Sequence, residues 1–122
     1  MLNFRLWAAT ALLLATPAVA QAPVHTVQLY SFGFTPKAIR LAAGKPVTLT
    51  FINSSGDRHD FTAKSFFARA QIVSGDAAGG AIELAGGKSR SVTLVPARGQ
   101  YKVHCGHFMH KQFGMTGTII VE

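Results

Sequence analysis

Cysteine occurs once in the 122 residues, at Cys105, and acidic residues occur five times against twelve lysines and arginines. A single cysteine cannot form a disulfide within the chain, nor the paired-cysteine knuckle of a zinc ribbon. Four of the five acidic residues are scattered, at Asp57, Asp76, Glu83 and Glu122, which does not suggest catalysis by a carboxylate pair. There is no Walker loop, GxGxxG, GxSxG or HExxH pattern, so the common signatures of nucleotide binding, serine hydrolysis and zinc proteolysis are missing. Internal repeats, heptads and low-complexity runs are also absent. Tryptophan appears once, and charged residues make up only 14% of the chain.

The formal net charge is nonetheless +7. A basic surface steers acidic partners or anionic membrane surfaces toward it. Nucleic acid is not expected, because no basic helix or RNA-binding motif accompanies the charge.

The one long apolar stretch lies at the start. Arg5 precedes the apolar run Leu6 to Ala15, and Ala18-Val19-Ala20 forms a small-residue cleavage pattern. These are the parts of a secretory signal peptide, with cleavage expected after Ala20 and periplasmic export as its consequence. The run is too short, and too soon broken by Pro17, for a spanning helix. Residues 1–20 are therefore read as leader and 21–122 as one domain, large enough for a single core. No other segment is long and apolar enough to span. Export sharpens the cysteine question, since exported cysteines usually pair. An unpaired one is an intermolecular bridge, an idle buried thiol or a metal ligand.

The neighbourhood of Cys105 favours the metal. Tyr101 to Gly117 reads Y-K-V-H-C-G-H-F-M-H-K-Q-F-G-M-T-G and holds His104, His107 and His110 among the five histidines, with Met109 and Met115 among the three methionines. Thiolate, imidazole and thioether together suit copper, and a blue-copper site needs two histidines, one cysteine and a weak axial methionine. Cys105 would end one strand, while His110 and Met115, at Cys-x4-His-x4-Met spacing, would lie on the loop before the next. A second histidine must come from elsewhere.

His59 is the best candidate for that role. It stands at the start of a short predicted strand, after the loop Asn53 to Asp57. His25 lies near the expected new terminus. His104 adjoins Cys105, so alternation turns its side chain away. His107 stays open as an alternative ligand.

The rest of the chain is a series of short extended runs. Val24 to Tyr30, Ala38 to Leu41, Pro46 to Asn53, His59 to Thr62, Ala81 to Leu84, Ser89 to Val95, Tyr101 to Cys105 and Thr118 to Val121 read as strands, about eight in all. Val47, Leu49 and Phe51 alternate against Thr48 and Thr50. Ser31 to Pro36 reads as a loop carrying Phe32 and Phe34. Lys64 to Val73 has room for a helical turn that its pattern does not decide, and Ser74 to Gly80 is small and flexible. Short strands with glycine and proline turns predict an all-β sandwich.

Three pieces together resemble one family: F-T-P-K-A-I-R-L-A-A-G-K-P-V-T-L-T-F-I-N, then H-D-F, then Y-K-V-H-C-G-H-F-M-H-K-Q-F-G-M-T-G-T-I-I-V. In their order they are similar to the cupredoxins, the small blue-copper proteins that include plastocyanins, pseudoazurins, azurins and phytocyanins. The Cys-x4-His-x4-Met spacing is similar to that of phytocyanins. The resemblance implies a Greek-key β-sandwich of all-β class with one type 1 copper ion at one end. It implies ligation by His59, Cys105, His110 and axial Met115. Asp60 departs from the family pattern, which often has asparagine after the first histidine, and His104, His107 and Met109 are additions that a simple carrier does not need.

The function so implied is that of a periplasmic one-electron carrier rather than an enzyme. His110 would be the electron port, with Phe108, Met109 and Phe113 as an apolar docking patch. The basic rim would steer an acidic redox partner, a cytochrome or a reductase, toward a monomer. The alternative is a copper-binding protein for trafficking, storage or delivery. A copper enzyme such as a nitrite reductase would need a second copper site and usually a second domain.

Overall fold

The computed structural model describes residues 8–13, 21–107 and 114–122. The expected cleavage site at 18–20 and the loop residues 108–113 lie outside these. Among the described residues the strands are β1 (Val24–Tyr30), β2 (Gly33–Thr35), β3 (Ala38–Leu41), β4 (Val47–Asn53), β5 (His59–Thr62), β6 (Gln71–Ser74), β7 (Ala81–Leu84), β8 (Ser89–Val95), β9 (Gly99–His104) and β10 (Thr116–Val121). One short helix, α1 (Lys64–Arg69), and a 3-10 turn at Ala78–Gly80 interrupt them. The strands form two five-stranded sheets, β2-β1-β4-β8-β6 and β3-β10-β9-β5-β7. The chain is an all-β sandwich, as the sequence predicts.

Alternation explains why these residues pair and stack. Side chains two apart on a strand share a face, and in β4 Val47, Leu49, Phe51 and Asn53 turn inward while Thr48 and Thr50 stay near the surface. Val27 and Leu29 of β1 and Val92 and Leu94 of β8 complete the inner face of that sheet. The opposite sheet supplies Phe61, Ile82, Leu84, Tyr101, Val103, Ile119 and Val121. Phe61 lies at the centre, with its ring 5.4 Å from that of Phe34, 4.8 Å from Phe51 and 6.3 Å from Phe67. The pairs with Phe34 and Phe67 are edge-to-face and that with Phe51 is tilted; aromatic pairs of this kind add about 0.5–1.5 kcal/mol each to ordinary burial. The phenol of Tyr101 donates to the carbonyl of Ala97 at 2.7 Å, closing the turn before β9.

The strand count of about eight is corrected to ten among the described residues. The expected loop Ser31 to Pro36 contains β2, whose Phe34 pairs with Leu29 and is buried. Its turn uses Phe32 at φ 67°, without the glycine or asparagine that normally signals such a bend. The undecided Lys64 to Val73 stretch is α1 followed by β6. The helix buries the adjacent Phe66 and Phe67, too short a segment to display a helical period. Every residue of β6 is exposed, so this edge strand has no alternation to read. Small shifts also occur at the ends. β9 spans Gly99–His104 and leaves Cys105 just beyond it, and β10 begins at Thr116 rather than Thr118.

Register places the ends that matter. β9 and β10 are antiparallel with His104 opposite Thr116, so Cys105 and Met115 face one another where the hairpin opens. β5 meets β9 at Thr62 opposite His104 and runs the other way. His59, three residues earlier, therefore lies past the end of β9, beside Cys105.

Candidate metal centre

His59 reaches this place through the loop after β4, and Asn53 builds that loop. Asn53 is buried, and its side-chain amide donates to the carbonyls of Asp57 at 2.7 Å and Leu84 at 3.1 Å. Its side-chain oxygen accepts from the backbone and hydroxyl of Ser55, at 3.0 and 2.8 Å. A buried amide satisfied on both sides holds the turn in one geometry. Sequence reading placed Asn53 at a loop boundary only. Its inward alternation with Val47, Leu49 and Phe51 was the available signal.

Met115 is tied to Cys105 through the backbone, with the Cys105 N–H donating to the Met115 carbonyl at 3.1 Å. Gly114 precedes it at φ 89°, a left-handed conformation that favours glycine. Cys105 and His59 are each 1% exposed and Met115 is fully buried. A thiol, an imidazole and a thioether thus sit sealed at one end of the sandwich. His59 Nδ1 lies 3.9 Å from Cys105 Sγ. Metal–sulfur and metal–nitrogen bonds of about 2.3 and 2.0 Å, opened by roughly 120°, would separate the two atoms by about 3.7 Å. The described donors therefore fit a soft metal ion held between them. His110, the third equatorial candidate, lies outside the described residues, as do Phe108, Met109 and Phe113.

The sulfur has its own environment. The backbone N–H of Asp60 donates to Sγ at 3.4 Å, and the backbone N–H of His107 donates to it as well. Burial pushes the Cys105 thiol above its ordinary value, the two N–H groups pull it back, and the carboxylates of Asp60 and Glu83 add to the rise. In the metal-free protein the group is held as a thiol. Metal binding must therefore displace its proton.

Asp60 is buried, and its Oδ1 accepts from the Gly106 N–H at 2.8 Å and from the Thr62 hydroxyl at 2.5 Å. Gly106 leaves room for the carboxylate, since a Cβ there would stand 3.2 Å from Oδ2. His107 turns outward, with Nε2 2.8 Å from Glu83 Oε1 and 3.5 Å from Asp60 Oδ2. His104 projects from the outer face of its sheet, in a shallow groove shared with Lys102, Thr116 and Thr118. His25 is exposed at the start of β1.

A family model described as a cupredoxin-like domain matches residues 3–121, and the chain belongs to that family. Solved structures carry the same fold. One is a sodium-dithionite-reduced auracyanin from the photosynthetic bacterium Roseiflexus castenholzii, 20% identical with a TM-score of 0.63, the alignment covering 85% of this chain and 99% of that one. Auracyanin B is 24% identical with a TM-score of 0.60, over 85% of this chain and 93% of that chain. A multicopper oxidase from Campylobacter jejuni aligns at 13% identity and a TM-score of 0.64, over 88% of this chain but only 31% of its own length. No curated protein matches the chain. At these identities the likeness concerns the fold. Among the described residues no helix is long and apolar enough to cross a membrane.

Proposed function

We propose that the chain is an exported electron carrier that holds one copper ion between His59, Cys105 and His110, with Met115 in the axial position. The observation that carries this reading is the sealed pair His59 Nδ1 and Cys105 Sγ, 3.9 Å apart at the open end of the β9–β10 hairpin. Copper bound there would supply a one-electron Cu(II)/Cu(I) couple. The chain's part is to keep the ligands still. Cys105 and Met115 are joined through the backbone, His59 stands on a loop fixed by Asn53, and the aromatic cluster around Phe61 backs the site. Ligands that do not move between the two oxidation states keep the reorganisation cost of transfer low. Burial of all three described donors keeps water away from the sulfur. The excess of basic over acidic residues steers an acidic redox partner, a cytochrome or a reductase, to a monomeric carrier.

Copper(II) addition to the metal-free protein tests this. An intense visible sulfur-to-copper band is expected, together with a reversible one-electron wave, and both vanish in Cys105→Ser. A colourless complex, or a band that survives the substitution, would overturn the reading.

Copper delivery or storage is a second reading, favoured by one observation. Asp60 of β5, Glu83 of β7 and His107, two residues beyond Cys105, bring ligand atoms within 4.8 Å of one another. A delivery protein would surrender its copper to a competing thiol chelator within minutes, whereas a carrier would retain it through repeated reduction and oxidation.

A further inference from the structure

The two backbone N–H groups that reach the sulfur belong to Asp60, on β5, and His107, in the turn after β9. Their side chains also meet. Asp60 Oδ2 stands 3.5 Å from His107 Nε2, and Glu83 Oε1 stands 2.8 Å from the same nitrogen. Asp60 lies directly opposite Glu83 in the β5–β7 register, so both carboxylates share one face. Like charges in that relation destabilise a strand pair unless something is placed between them. Arg58 approaches Glu83 from the solvent side at 3.3 Å, and the His107 imidazole fills the inner side. The Asp60 side chain is 7% exposed and also holds the Gly106 N–H, so it is the fixed point of the group.

We infer that His107 is a positioning residue: its imidazole, held by Glu83 and Asp60, clasps the first turn after Cys105 so that the His107 N–H stays on the sulfur. Without the imidazole's contacts to Glu83 and Asp60, residue 107 loses its side-chain tie to β7 and β5. The turn then gains freedom and the N–H leaves the sulfur for part of the time. An N–H dipole aimed at the thiolate favours the more electron-rich, reduced state, because hydrogen bonding around the cysteine sulfur tunes the potential. Loosening it shifts the preference toward Cu(II). The effect on potential rests on the copper reading above, while the clasp itself does not.

The test compares the parent with His107→Ala and His107→Gln. Alanine removes the imidazole. Glutamine restores an uncharged N–H donor able to reach Glu83. In the metal-free protein, backbone amide hydrogen exchange by NMR is corrected for intrinsic rates. Protection at residue 107 should fall about tenfold in His107→Ala, the loss of one hydrogen bond's worth of order, and return in His107→Gln. In the copper-loaded protein the midpoint potential should fall in His107→Ala by about a tenfold change in preference, roughly 59 mV for one electron, and recover in His107→Gln. Parental protection and potential in His107→Ala would overturn the proposal. So would a glutamine variant as low as the alanine one, since the loss would then reflect side-chain charge and not the clasp. If the loaded parent shows no sulfur-to-copper band, the copper reading fails and amide exchange alone decides the clasp.

Discussion

Asp60 is the position where replacing a single atom type and removing a whole side chain should part company. Its Oδ1 accepts two hydrogen bonds, from the Gly106 N–H at 2.8 Å and the Thr62 hydroxyl at 2.5 Å. In Asp60→Ala the Gly106 N–H and the buried Thr62 hydroxyl both lose this acceptor. Hydrogen bonds to a charged group contribute about 1.5–3 kcal/mol, and an orphaned donor costs about 1–3. Relief of the Asp60–Glu83 repulsion offsets part of this. Asp60→Ala should therefore destabilise the metal-free protein by about 2–4 kcal/mol. Asp60→Asn retains an oxygen at the Oδ1 position and removes the repulsion, so its cost should stay below about 1 kcal/mol. The potential moves in Asp60→Asn as well. The Asp60 N–H on Sγ and the carboxylate on Gly106 keep this charge close to an ion on the sulfur, and at an effective dielectric of about 20 a unit charge about 8 Å away is worth about 2 kcal/mol. Removing it favours Cu(I) and should raise the midpoint by up to roughly 90 mV. Urea unfolding of the metal-free variants and voltammetry of the copper-loaded ones read the two effects. Equal stability losses in the alanine and asparagine variants, or a potential that falls in Asp60→Asn, would refute the reasoning.

Other outcomes follow from the same geometry. His59→Ala should lower copper affinity by at least about 100-fold, more than loss of an outer partner costs, while His25→Ala at the exposed start of β1 should leave it unchanged in a competition titration. Met115→Leu should keep the visible band and raise the potential, because a weak axial thioether stabilises Cu(II) slightly; an unchanged potential would place Met115 off the metal. The raised thiol of Cys105 makes the folded, metal-free state hold its proton to higher pH than the unfolded state does. Its contribution to stability is complete below the unfolded thiol's value, near pH 8.5, and is lost as pH rises through the folded one. The stability difference between parent and Cys105→Ser, followed by urea unfolding across that range, should shift accordingly; a difference independent of pH would contradict the burial of the thiol.

The sandwich and most of its strands were legible in the chain itself. Period-two alternation, as in Val47, Leu49 and Phe51, depends only on which residues must leave water, and that is a property of each segment alone. The clustering of Cys105 with histidines and methionines at short spacing likewise needs no structure to suggest a soft metal. Segments whose side chains do not alternate gave no such signal. β6 is exposed throughout, and the turn before β2 is held by Phe32 in a left-handed conformation. What only the tertiary structure decided is which distant residues meet. His59 comes within 3.9 Å of Cys105 because the β5–β9 register carries its strand past the end of β9, and a register is set by the two sheets packing together. Asn53 as the brace of the His59 loop, and Asp60, Glu83 and His107 as one group, depend on contacts between residues 24 to 47 positions apart. Apart from the inward alternation of Asn53, such contacts leave no mark on local pattern, since each polar residue reads alone as a solvated one until folding buries it beside its partner.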